Sequence, residues 1–249
     1  MDMALKDAFI ERWTRYFPGC ELPLTFFYTD NASAGESVPP AKGHRCVVSL
    51  LTIARRGRTI CLDAEMVNCP GGKRYFGLEQ EIMPDFEFFL SCGIPGRLEG
   101  ERYKKSPEMV REVMGQIPTF VAPARYIVFK RWDLLEKADE PAAVIFFARP
   151  DVLSGLFTLA GFDTASPNTV AAPFGAGCAT IVQYPYLERE AEEPRAFLGM
   201  FDVSARPCVP AGELTFAAPM STFARMVENM DQSFLITRSW ELVRDRLQR

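Results

Sequence analysis

The sequence predicts an α+β fold: a single compact domain with a mixed β-sheet flanked by helices, and a doubly wound α/β arrangement as the alternative. Three observations lead there. Segments with helical apolar spacing and segments rich in β-branched and aromatic residues follow one another too irregularly for a regular run of βαβ units. No Pro/Gly/Ser-rich stretch separates the chain into parts. A length of 249 residues with 48% hydrophobic content is ample for one core without covalent staples.

Each element has its own signal. Residues 3–17 place Leu5, Phe9, Trp13 and Tyr16 at three- to four-residue spacing with charges between, and Pro18-Gly19 stops that helix. Residues 24–28 read as a strand, followed by a polar loop with Gly35, Pro39 and Pro40. Residues 44–56 show a broad apolar helical face ended by Gly57, and residues 59–64 alternate as a strand. Cys69-Pro70-Gly71-Gly72 reads as a turn by composition, and residues 85–91 as a short helix. Ser106-Pro107-Glu108 starts a helix that runs to about residue 116: a capping hydroxyl, a proline in the first turn, an acid at the positive end. Residues 125–132 and 142–148 are strands. Residues 151–160 form a helix closed by Gly161. A glycine-rich turn leads into a helix over 175–184. Strands at 197–202 and 213–217 and two closing helices at 220–230 and 233–247 complete the chain.

An internal echo accompanies this order. Phe26-Phe27-Tyr28, the helix through Val48–Ala54, Gly57 and Cys69 are matched by Ile145-Phe146-Phe147, the helix through Leu153–Ala160, Gly161 and Cys178. The echo is weak: within one domain spanning 1–249 it marks two weakly similar halves at about 20–100 and 140–220.

Composition excludes several function classes. The formal charge of −4 and short, acid-flanked basic clusters give no basic face for nucleic acid. No apolar run reaches the ~18 residues of a membrane span. The first seventeen residues mix acids and bases unlike an export signal, so the expected location is cytoplasmic. Seven cysteines without a CxxC pair point to reduced thiols rather than a disulfide framework or zinc ribbon. A single histidine, His44, leaves little room for His-based metal sites or triads.

Two cysteines have unusual neighbours. Cys69 precedes Pro70-Gly71-Gly72-Lys73-Arg74, and Cys178 ends Phe174-Gly175-Ala176-Gly177. Glycines let a backbone turn sharply and present N–H groups, which favour a thiolate, as do adjacent cations. Neither stretch matches GxGxxG or a Walker loop. Cys46, two residues from His44, is a third candidate, while Cys20, Cys61, Cys92 and Cys208 read as small packing residues. Asp202 and Arg206 close a strand, and Arg102 follows a glycine-containing loop.

Five blocks form a recognisable set. They are Ala54-Arg55-Arg56-Gly57 with Asn68-Cys69-Pro70-Gly71-Gly72 and Gly77-Leu78; Gly100-Glu101-Arg102-Tyr103-Lys104-Lys105-Ser106-Pro107; Pro173-Phe174-Gly175-Ala176-Gly177-Cys178; Gly199-Met200-Phe201-Asp202 with Ser204-Ala205-Arg206; and Phe216 to Pro219 with Trp240. Together, and in order over nearly the whole chain, they resemble the domain of unknown function 169 family of uncharacterised bacterial and archaeal proteins. The resemblance implies one domain and no defined reaction. It makes Cys69, Cys178 and Arg206 family positions.

The functional expectation is a cysteine-lined cleft. Cys69 and Cys178, with Cys46, are the residue types that hold a soft metal ion or an iron–sulfur centre, or act as redox thiols. Arg206, Arg102, Lys73 and Asp202 are the candidate ligand-binding residues for a small anionic molecule beside them. The alternative is a non-catalytic small-molecule-binding or sensing protein whose cysteines only pack.

Overall fold

A computed structural model describes residues 1–39 and 42–248; the expected loop residue Pro40 lies outside them. Among the described residues, eight strands form one mixed sheet in the order β2-β3-β4-β1-β5-β8-β7-β6. They are β1 (Leu24–Thr29), β2 (Glu36–Ser37), β3 (Ile60–Leu62), β4 (Tyr126–Arg131), β5 (Ala143–Ala148), β6 (Val170–Ala171), β7 (Ala196–Gly199) and β8 (Leu214–Pro219). The α+β expectation holds, with helices on both faces.

The central strands are apolar on both sides because both sides are covered. Every residue of β5, Ala-Val-Ile-Phe-Phe-Ala, is buried. Alternate side chains part to opposite faces. Leu24, Phe26, Ile60, Leu62, Ile127, Phe129, Ile145 and Ala217 pack on one face against α2 (Val47–Arg55), whose Val47, Val48, Leu50, Leu51 and Ala54 are buried. Val144, Phe146, Ala148, Phe216 and Ala218 pack on the other against α1 (Met3–Tyr16), α6 (Pro150–Ala160), α8 (Met220–Asn229) and α9 (Arg238–Leu247).

On that second face α1 starts at Asp2, whose carboxylate accepts the Ala4 N–H at 2.8 Å. The helix buries Phe9, Trp13 and Tyr16, and Trp13 stacks on Phe17 at 4.3 Å between ring centroids. Gly155 lets α6 approach: a Cβ there would stand 2.5 Å from Trp240 and 2.9 Å from Phe17.

The remaining elements carry the connections: α3 (Pro70–Tyr75), α4 (Phe86–Phe89) and α5 (Pro107–Gln116) between β3 and β4, and a π-helical turn at Ala179–Gln183 continuing into α7 (Tyr184–Glu188) between β6 and β7. Several expectations are corrected. Cys69-Pro70-Gly71-Gly72 is the start of α3 and not an open turn, because Pro70 takes the first helical position, where no N–H is required. The helix expected from residue 44 begins at Val47. The last helix begins at Arg238, after a separate 3-10 turn at Phe234–Ile236. Strands β2 and β6 are two residues long and carry no pattern to read.

The sheet order has a symmetry across the β1–β5 pair. In the first half, β1 pairs antiparallel with β4, β4 antiparallel with β3, and β3 parallel with β2. In the second, β5 pairs antiparallel with β8, β8 antiparallel with β7, and β7 parallel with β6. Cys46 and Cys178 therefore both lie in the link between a half's second and third strands. Cys69 and Cys208 both lie between its third and fourth. The sequence echo aligned Cys69 with Cys178, which is a different correspondence: helix–glycine–cysteine order does not distinguish which link a cysteine occupies.

Candidate functional site

Four of the seven cysteines gather on the α2 face of the sheet: Cys178 within the buried cluster, and Cys46, Cys69 and Cys208 packed against it. Cys20 belongs to the opposite face and Cys61 to a small cluster behind β3 and β4. Cys92 is exposed, so the expectation that it packs is corrected, as it sits in a surface turn.

Cys46 and Cys69 hold equivalent local positions. Each is the residue at which the chain enters a helix, Cys46 before α2 and Cys69 before α3. The Cys69 sulfur takes the capping role usually given to an oxygen and accepts the Gly72 N–H at 3.3 Å. Gly72 also sets the spacing between the two helix starts. A Cβ there would lie 2.9 Å from Cβ and Cγ1 of Val47 and 3.2 Å from Cγ1 of Val67. Only glycine lets α3 sit this close to the first residue of α2, and at that approach the side chains of Cys46 and Cys69 act on one another.

The electrostatics of the pair are unequal. The Cys46 thiol, acting as hydrogen-bond donor, is the largest influence lowering the Cys69 pKa. Burial opposes it, and the Gly72 N–H, His44 and the Val47 N–H add to it; the net position is about 5. Cys46 moves the other way, far above an ordinary thiol, first because it donates to Cys69 and then through burial. The direction within the pair is thus Cys69 toward thiolate and Cys46 toward thiol. Cys208 and Cys178 lie within electrostatic reach of Cys46. Cys178 is itself pushed well up by burial, with the charges of Cys69 and Asp202 adding to that, and stays protonated.

Asp202 fixes the loop that carries Cys178. One carboxylate oxygen accepts the Gly177 N–H at 3.3 Å. The other accepts the Ser204 hydroxyl at 2.8 Å, the Ser204 N–H at 3.1 Å and the Tyr103 hydroxyl at 3.3 Å. The Tyr103 oxygen in turn accepts from the Ser204 N–H at 2.8 Å, so the 100–105 segment is tied to the loop after β7. Lys104 Nζ lies 3.8 Å from the Phe174 ring centroid on the same rim.

The expected cationic residues are placed as follows. Arg206 donates to the carbonyls of Glu213, of Ala211 at 2.8 Å and of Pro210 at 3.4 Å, which ties together the loop between β7 and β8. Lys73 pairs with Glu79 at 2.7 Å. Arg102 is exposed, in the left-handed region at φ 56°, and its N–H donates to the Ser91 carbonyl. Asp202 is the member of the set that reaches the cysteine loop directly. Among the described residues, no three of His, Cys, Asp and Glu are placed together to hold a metal ion.

Cys208 packs on the α2-face cluster as expected, while the contact of Tyr103 with Asp202 and the structural role of Gly72 have no signal in the sequence. Cys208 follows Arg206-Pro207 in a short 3-10 turn and has no glycine neighbours to mark it. The doubled glycine after Cys69 was visible, but its purpose depends on Val47, twenty-odd residues earlier in the chain.

Among the described residues, no helix is long and apolar enough to cross a membrane. The family model for domain of unknown function 169, described as uncharacterised ArCR, matches residues 23–229. No curated protein and no solved structure matches the chain.

Proposed function

The chain belongs to the family of domain of unknown function 169, the uncharacterised ArCR proteins, and we propose that its cysteine face is a thiol–disulfide redox site with Cys69 as nucleophile and Cys46 as resolving thiol. The observation that carries this is the meeting of two helix-entry cysteines across Gly72, one favoured as thiolate and the other its proton donor.

The Cys69 thiolate attacks one sulfur of a disulfide and expels the other as a thiolate, forming a mixed disulfide. Loss of the Cys69 negative charge removes the reason for the Cys46 proton to stay, so that proton passes to the departing thiolate. The Cys46 thiolate then attacks the Cys69 sulfur and releases the second half of the substrate. One external disulfide is reduced to one thiol and one thiolate, the latter taking its proton from solvent, and the protein's thiol–thiolate pair becomes the Cys46–Cys69 disulfide.

A soft metal ion or iron–sulfur centre on Cys69, Cys178 and Cys46 has less support, since no three donors converge on an ion. Cys178 and Cys208 read as a second cysteine pair from a second half-unit, the two halves being related through the symmetric strand order. Asp202 and Tyr103 hold that half's loop in place.

The test is to expose reduced protein to a small disulfide and map the cysteines by peptide mass spectrometry. The expected product is a Cys46–Cys69 linkage. In Cys46→Ser the mixed disulfide should persist on Cys69. Uniformly slow reaction at all seven cysteines would mean that they only pack, and would leave the binding-protein reading.

A further inference from the structure

Arg45 immediately precedes Cys46, and Asn68 immediately precedes Cys69. Both line one shallow hollow, whose other walls are Pro39, Leu50, Met66 and Val67. The hollow is small and neither cysteine is among its walls, but the segment that carries Arg45 reaches the pair: His44 is one of the groups that favour the Cys69 thiolate. Arg45 is exposed and held over the first turn of α2 by donating to the Ser49 hydroxyl at 3.2 Å. No acidic side chain pairs with it among the described residues. Lys42 and His44, also exposed, extend the same segment, so residues 42–45 carry two cations and an imidazole and no acid, in a chain whose formal charge is −4.

We infer that the disulfide taken by this site is a small molecule bearing a carboxylate, with its charge met by Arg45. This rests on the redox reading above and adds the substrate class to it. A carboxylate suits the position because a guanidinium offers it a two-pronged, charge-assisted contact. A local positive field on a negative protein also concentrates anions at the thiolate. A cationic disulfide would meet like charge at Lys42 and Arg45, and a neutral one would gain nothing from them. The covalent step is unchanged: the carboxylate-bearing disulfide is the oxidant, and it leaves as one thiol and one thiolate that takes its proton from solvent.

The experiment compares three probes: dithiobis(nitrobenzoate), which is a dianion; dithiodipyridine, which is neutral; and cystamine, a dication. Rates of Cys69 modification are measured for the wild type and Arg45→Gln, with Arg45 chosen because it is exposed and carries no part of the core. The expected result is a fall of about tenfold in the dianion-to-neutral rate ratio in Arg45→Gln. In the wild type that ratio should also fall as salt is added. An unchanged ratio in Arg45→Gln, with Cys69 still reacting with every probe, would overturn the substrate class and leave the redox site standing. Failure of Cys69 to react with any probe would overturn the redox site and this inference together.

Discussion

Gly71 and Gly72 are neighbours in the first turn of α3, yet their replacement by alanine should have opposite consequences. A Cβ on Gly71 meets nothing closer than Tyr75 at 3.7 Å, an ordinary contact. A Cβ on Gly72 would stand at 2.9 Å from two atoms of Val47, which is fully buried and β-branched, and so cannot swing away. Both substitutions gain the helical preference of alanine over glycine, up to about 1 kcal/mol. Only Gly72→Ala suffers overpacking, of about 1–3 kcal/mol. The propensity gain cancels in the comparison, so Gly72→Ala should be less stable than Gly71→Ala by about that 1–3 kcal/mol in urea unfolding. Relief of the clash separates α3 from α2, and with it Cys69 from Cys46. The pH at which Cys69 becomes half-alkylatable by iodoacetamide should then rise in Gly72→Ala and stay put in Gly71→Ala. Equal stabilities and equal alkylation profiles in the two variants would refute the argument that Gly72 seats the thiol pair.

Other consequences are independent of that glycine. Cys46→Ala removes the main donor to the Cys69 sulfur, so the alkylation midpoint of Cys69 should climb from about 5 toward that of an ordinary thiol. Stability should follow the pair with a definite sign. The folded pKa of Cys69 lies below its unfolded value, so its contribution is present above pH ~8.5 and is lost as pH falls toward about 5. Cys46, raised in the fold, contributes below pH ~8.5 and loses that contribution above it. The stability gap between wild type and Cys69→Ser should therefore widen from pH 5 to pH 8, as read by urea midpoints at each of those roughly chosen pH values. Asp202→Ala leaves the Gly177 N–H and the Tyr103 hydroxyl without their acceptor, a cost of about 1–3 kcal/mol. It should also make buried Cys178 accessible to alkylation, which a purely surface role for Asp202 would not. Gly155→Ala drives a methyl into Trp240 and Phe17 and should cost about 1–3 kcal/mol while leaving Cys69 alkylation unaltered.

Much of this architecture is legible in the sequence where local chemistry is strong. The helix started by Ser106-Pro107-Glu108 and the apolar strands β4 and β5 fall where capping and composition place them. The two-residue strands β2 and β6 do not, because their pairing is dictated by β3 and β7 and not by their own side chains. For the site, Cys69, Cys178 and Cys46 stood out through glycines or proximity to His44. Cys208 joins them only because the chain passes from β7 to β8 over the same face. Arg206 looked like an anion holder from its charge; its use on loop carbonyls depends on a turn geometry that charge alone does not reveal.

The sharpest single measurement is the ultraviolet absorbance of thiolate as a function of pH, taken on the native wild type and on Cys69→Ser. The wild type should gain one thiolate in a step centred near pH 5, well below the ordinary cysteine range, and Cys69→Ser should lack that step entirely. Superimposable curves for the two proteins, with every sulfur ionising only in alkaline solution, would contradict the account at its root.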